Sequence, residues 1–144
     1  MVVDDAADIR DLLRAILSET YEVTEAKSGA DLKQAIENGI SLLPDAGGRF
    51  PQVSGLVIEA DISRPAGSRV LSVTVDGAPL AEARVYRAAT NDFIGRGGDG
   101  YNQFRDATHV LADGDSPVLA DEVMLYLQAA GTVRTGIEGR FVVR

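Results

Sequence analysis

Asn91-Asp92-Phe93-Ile94-Gly95-Arg96-Gly97-Gly98-Asp99-Gly100-Tyr101 brings an aromatic ring and a carboxylate within seven positions. Four of the six residues from Gly95 to Gly100 are glycine, a composition that is costly to order and poorly explained by packing alone. Phe93 offers a flat apolar face and Asp99 two acceptor oxygens, the groups needed to hold a base and its ribose hydroxyls. The competing reading is a hairpin or wide turn with Phe93 in the core.

Other chemistry-bearing residues are sparse. The single histidine, His109, lies in Asp106-Ala107-Thr108-His109-Val110-Leu111 without metal-ligand spacing around it. Asp113-Gly114-Asp115 lacks the alternating oxygens and closing glutamate of a calcium loop and reads as a capping turn. Arg49 and Arg69 can approach a phosphate but read better as ion-pair or loop anchors. Phe50, before Pro51, is expected to pack its loop onto a sheet, and Tyr101 with Phe104 to brace the glycine-rich segment. No cofactor is implied.

The elements that would carry these residues follow from periodicity. Ile9, Leu12, Leu13, Ile16 and Leu17 recur at helical spacing after the very short apolar run Val2-Val3. Tyr21 to Ala26 alternates as a strand, and Ser28-Gly29 breaks it. Leu32, Ala35, Ile36 and Ile40 predict a second helix, followed by a loop at Pro44 to Arg49. Leu56, Ile58 and Ala60, then Leu71, Val73 and Val75, predict strands, with a turn at Asp76-Gly77 and Pro79. A strand over Val85 to Thr90, a helix over Asp121 to Ala130 and a closing strand at Phe141-Val142-Val143 complete the order. The expected class is α/β: one domain, 1–144, with a mixed β-sheet flanked by helices.

The 144 residues are 45% hydrophobic, enough for one sizeable core. With 22 acidic against 14 basic residues and a net charge of -8, no nucleic-acid partner is expected. There are no cysteines, so disulfide and thiol chemistry are excluded. No apolar run approaches the roughly 20 residues that cross a bilayer, and the opening residues lack a secretory pattern. No membrane partner is expected, and the chain as written reads as cytoplasmic, although a natural parent can be exported.

From about Ala30 to Arg144 the chain resembles the C-terminal domain of the 5'-nucleotidase family. The resemblance is carried by Ala30-Asp31-Leu32-Lys33-Gln34-Ala35-Ile36-Glu37-Asn38-Gly39, by Gly48-Arg49-Phe50-Pro51-Gln52-Val53-Ser54-Gly55-Leu56, by Arg64-Pro65-Ala66-Gly67-Ser68-Arg69-Val70, and by Ala89-Thr90-Asn91-Asp92-Phe93 through Gly97-Gly98-Asp99-Gly100-Tyr101. It implies that Phe93 is one of two aromatics sandwiching the base and that Asp99 accepts hydrogen bonds from ribose hydroxyls. Gly97 and Gly98 would let the backbone approach the nucleoside, with Asn91 and Tyr101 in support. In that family a separate metallophosphoesterase domain carries the metals and the hydrolytic groups. Two family segments are absent: Asn-Gly-Gly-Gly-Ile-Arg, whose arginine goes toward phosphate, and Pro-Phe-Gly-Asn-Thr, which carries the second stacking aromatic. The nearest counterpart of the latter is Leu17-Ser18-Glu19-Thr20.

Residues 1–29 are similar to something else. Val2-Val3-Asp4-Asp5-Ala6-Ala7-Asp8-Ile9-Arg10-Asp11-Leu12-Leu13 and Tyr21-Glu22-Val23-Thr24-Glu25-Ala26-Lys27-Ser28-Gly29 resemble the opening βαβ of a response-regulator receiver domain. That resemblance implies Asp4 and Asp5 as weak Mg²⁺ candidates, whereas the phosphoacceptor aspartate and the later threonine and lysine have no counterparts. The expectation is a chimera joined near Ser28-Gly29-Ala30, engineered or evolved. As a truncated or chimeric nucleotidase-derived domain it would be non-catalytic, with at most weak nucleoside or nucleotide binding and an exposed edge or helix face open to self-association. The alternatives are the substrate-binding part of a nucleotide hydrolase that needs a separate metallophosphoesterase domain, and a receiver-like signalling module.

Overall fold

The computed structural model describes residues 22–26, 28–109, 118–133 and 136–144. The Val2-Val3 run, the Ile9–Leu17 helix, Asp4, Asp5 and the Asp113-Gly114-Asp115 turn lie outside them.

Ser28 does more than end a strand. It sits in extended conformation as the N-cap of helix α1, Gly29–Gly39. Its Oγ accepts the Asp31 backbone N–H at 3.2 Å and donates to the Asp31 carboxylate at 2.9 Å, so the first turn is satisfied from both sides. Leu32, Ala35, Ile36 and Ile40 fall on one face and are completely buried.

That face meets strands from two sheets. Strand β1 (Glu22–Ala26) lies between β5 (Tyr86–Thr90) and β6 (Thr108–His109), antiparallel to both. In the second sheet the order is β4-β3-β2-β7, with β2 at Leu56–Ala60, β3 at Val70–Val75, β4 at Ala78–Pro79 and β7 at Phe141–Val143. Strand β2 is antiparallel to β3 and parallel to β7. The single mixed sheet expected from the sequence is therefore two sheets, and only the second is mixed. Alternation reveals which face of a strand is buried, but not which strand lies beside it. Leu56, Ile58, Val73, Val75, Tyr86, Ala88 and Phe104 join the α1 residues in one buried cluster.

Strand β3 departs from simple alternation. Val70, Val73 and Val75 face inward, while Leu71 remains 36% exposed. The ladder shifts register between Glu59 and Ala60, so the extra residue re-aims the start of β3 and turns Val70 into the core. The β3–β4 turn uses Asp76 and Gly77, both at positive φ (52° and 74°), the twist that a two-residue hairpin requires. Phe50 packs edge-on against Phe141, with ring centroids 5.3 Å apart, as expected of a residue that pins its loop to the sheet.

A polar clamp ties α1 to β3. Glu37 is only 9% exposed, and its two oxygens accept the backbone N–H groups of Arg69 at 3.0 Å and Val70 at 2.7 Å. The Arg69 Nη1 donates to the carbonyls of Ile40, Ser41 and Leu43 at 2.8–3.0 Å, closing the chain that leaves α1. Downstream of β5 come three short helical pieces: α2 (Asp92–Gly95), a 3₁₀ turn (Gly98–Gly100) and α3 (Asn102–Arg105). Helix α4, Leu119–Ala130, has no buried residue; Val123, Met124, Leu125 and Leu127 are about half exposed. This is the surface from which the expected self-association would draw.

Candidate functional site

The glycine-rich segment, for which a hairpin or wide turn is the competing reading, is a folded series of helical turns. Asn91 begins it as an N-cap, its Oδ1 accepting the Ile94 backbone N–H at 2.9 Å. Its side chain is thereby committed to the backbone. Phe93 is not in the core: it is 55% exposed. Gly98 lies tight beneath it, since a methyl group there would stand 2.5 Å from the Phe93 carbonyl oxygen and 2.6 Å from two ring carbons. Only glycine permits this approach. Asp99 follows at φ 52° with its side chain exposed, between Gly97 and Gly100 at φ 88° and 84°.

Three groups from outside hold this turn. Asn38, in the last turn of α1, donates Nδ2 to the Asp99 carbonyl at 3.0 Å. Tyr101 is 4% exposed, stacks on Phe104 at 5.9 Å and donates its O–H to the Arg49 carbonyl at 2.6 Å. Tyr101 is therefore a brace between two loops, its one O–H proton already donated. Arg49 completes the set: its Nη1 lies 3.5 Å from Asn38 Oδ1 and 3.4 Å from Ser41 Oγ. The pattern of the sequence gives no hint of Asn38, because an asparagine before glycine at a helix end reads as a C-terminal signal.

Burial, with the Asp99 carboxylate adding to it and Arg49 opposing, pushes the Tyr101 phenol up from 10.0 to about 12. A raised phenol favours the protonated form in the folded state, so its contribution is complete below pH 10. It is lost as pH rises, because the unfolded chain releases the proton first. Wild type should lose about 2 kcal/mol of unfolding free energy between roughly pH 10 and 12 through this group. Tyr101→Phe should lack that component, while costing about 1 kcal/mol at neutral pH through the unpaired Arg49 carbonyl. Urea midpoints of both proteins across that pH range measure the difference.

Two further charged side chains, Arg69 and Asp61, are occupied elsewhere. Arg69 is the loop anchor described above. Asp61 accepts Ser63 N–H at 3.0 Å, Ser63 Oγ at 2.6 Å and Arg64 Nε at 3.1 Å. The Ser63 hydrogen bonds, with help from Arg64, hold its carboxyl below the usual carboxylate range. Among the described residues no group of three or more His, Cys, Asp or Glu side chains converges as a metal site, and no helix is long and apolar enough to cross a membrane. Two concavities of about 300 and 270 Å³ flank Arg140, one beside Asp76 and Thr74 and the other beside Phe50 and Ile137. Neither is lined by Phe93 or Asp99.

The family described as 5'-nucleotidase, C-terminal domain, matches residues 8–106. The chain belongs to this family. The 5'-nucleotidase C-terminal fold is also seen in its structural likeness to a 5'-nucleotidase precursor from Thermus thermophilus. That comparison has a TM-score of 0.77 at 35% identity and covers 94% of this chain and 27% of the other. Among curated relatives, the trifunctional nucleotide phosphoesterase protein YfkN of Bacillus subtilis is 39% identical over 87 residues, 57% of this chain and 6% of its own length. A snake venom 5'-nucleotidase of Crotalus adamanteus is 31% identical over 133 residues, 85% of this chain. This chain spans 22% of that venom protein and 6% of YfkN, a minor part of each.

The family match begins at residue 8, inside the segment read as receiver-like, and the expectation of a second parent finds no support. The topology agrees. A receiver start places its second strand in a parallel βαβ unit. Here β1 has antiparallel partners on both sides: β5 along its whole length, and β6 at Thr24 and Glu25. Neither a receiver segment nor a chimeric join at Ser28-Gly29-Ala30 is needed to account for the described residues.

Proposed function

We propose that this 5'-nucleotidase C-terminal domain is a nucleoside-recognising wall, not a catalyst by itself. The observation that carries the proposal is the exposed Phe93 ring, backed by Gly98, one residue before the exposed carboxylate of Asp99. A base laid on Phe93 would bring its ribose hydroxyls toward Asp99. Aromatic stacking contributes about 0.5–1.5 kcal/mol and a hydrogen bond to a charged group about 1.5–3 kcal/mol. Against the loss of translational and rotational freedom, such a set gives affinities around millimolar.

Titration with AMP, followed by NMR shifts of the 91–101 amides, tests this. The expected dissociation constant is about 1 mM, rising about fivefold in Phe93→Ala and about tenfold in Asp99→Asn. Submicromolar binding, or binding indifferent to both substitutions, would sink the proposal.

A second reading is favoured by the small share of its relatives that this chain spans. In that reading it is the substrate-binding part of a nucleotide hydrolase whose metals and nucleophile reside in a separate metallophosphoesterase domain. Phosphate release from AMP should then appear when such a domain is supplied with the chain and should fall in Asp99→Asn. No such effect of Asp99→Asn would count against it.

A further inference from the structure

Asn38 reaches across 61 residues of sequence to touch the Asp99 turn. Its amide is oriented by two different neighbours: Oδ1 faces the Arg49 guanidinium at 3.5 Å, and Nδ2 donates to the Asp99 carbonyl at 3.0 Å. A guanidinium supplies only donors and a carbonyl only an acceptor, so the reverse orientation of the amide would place like groups together at both ends. The turn closes directly on this side chain, since a methyl group at Gly100 would stand 2.9 Å from Asn38 Oδ1.

Asp99 needs such support. A non-glycine residue at φ 52° occupies a sparsely populated conformation that persists when its surroundings over-determine it. Within the turn Gly98 and Gly100 contribute no side chains, and Asp99's own carboxylate is exposed. The helix bearing Asn38 is in turn fixed by the neighbouring Glu37, through its bonds to Arg69 and Val70.

We infer that Asn38 is a positioning residue for Asp99: it holds the left-handed turn that aims the carboxylate at ribose hydroxyls. The inference rests on the nucleoside-binding reading above. It assigns Asn38 a selective effect on hydroxyl recognition and none on stacking by Phe93.

The probes are AMP and its 2',3'-dideoxy analogue, titrated into wild type, Asn38→Asp, Asn38→Ala and Asp99→Asn. Asn38→Asp is nearly isosteric and keeps an oxygen for Arg49, but sets a carboxylate oxygen against the Asp99 carbonyl. Wild type should prefer AMP by about tenfold, and Asp99→Asn should abolish the preference. Both Asn38 variants should bring the ratio below about twofold while the dideoxy affinity stays unchanged. A wild type that binds both probes equally overturns the nucleoside reading, and this inference with it. A wild type that discriminates, with Asn38 variants that discriminate equally well or lose both ligands in proportion, overturns the role of Asn38 alone.

Discussion

Phe104→Ala is expected to lower the unfolding free energy by about 3–5 kcal/mol, the largest loss expected among the described residues. Among the described residues Phe104 is the bulkiest fully buried side chain, and its ring lies nearly parallel to Tyr101 with 17° between planes. Removing it deletes apolar burial and leaves a void between α1 and α3 that the surrounding strands cannot fill without moving. Small domains are held by only about 5–15 kcal/mol, so this variant should approach half unfolded under mild conditions. Phe104→Leu should cost about 1–2 kcal/mol, because most of the volume remains. Urea denaturation of the two variants checks the ordering; equal losses would mean that Phe104 matters for something other than filled volume.

Glu37→Ala should cost about 2–4 kcal/mol, although it removes no apolar contact. The reason is the pair of backbone donors it leaves behind. Arg69 N–H and Val70 N–H both end on Glu37, and the carboxylate is shielded from solvent. Without it these donors have no side-chain acceptor, and β3 loses the anchor at its first residue. Glu37→Gln keeps the size but replaces one acceptor oxygen with a donor facing an N–H group, so it should recover little of the loss. Circular dichroism melts of both variants, with hydrogen exchange at Val70 as the local readout, test whether the penalty resides there. Unchanged protection of Val70 in a destabilised Glu37→Ala would contradict this account.

Much of the fold was legible because the pattern and the local chemistry agree. Leu32, Ala35, Ile36 and Ile40 lie on the face that α1 buries, and Phe50 packs as a loop pin. The closing strand at Phe141–Val143 is also where expected. What the pattern left out is relational. Leu71 looked like a core residue because the bulge that leaves it unpaired in β3 is defined only by the register against β2. The division into two sheets depends on partner choice between distant segments. At the site, Phe93 and Asp99 stood out by residue type, whereas Asn38 acts through a hydrogen bond between segments far apart in sequence. The helical turns of 92–105 were concealed by glycines that usually signal an irregular loop.

The parallel pairing of β7 with β2 has a consequence for synthesis. Phe141 sits opposite Ile58, so the ribosome makes more than half of the chain after β2 before β2's second neighbour exists. Until then one margin of that strand has only non-native partners to pair with, the situation in which nascent chains are most vulnerable to aggregation. Closing so distant a pair also makes folding slow relative to a protein of local contacts. Production of this domain should therefore respond to the rate of translation and to chaperone supply.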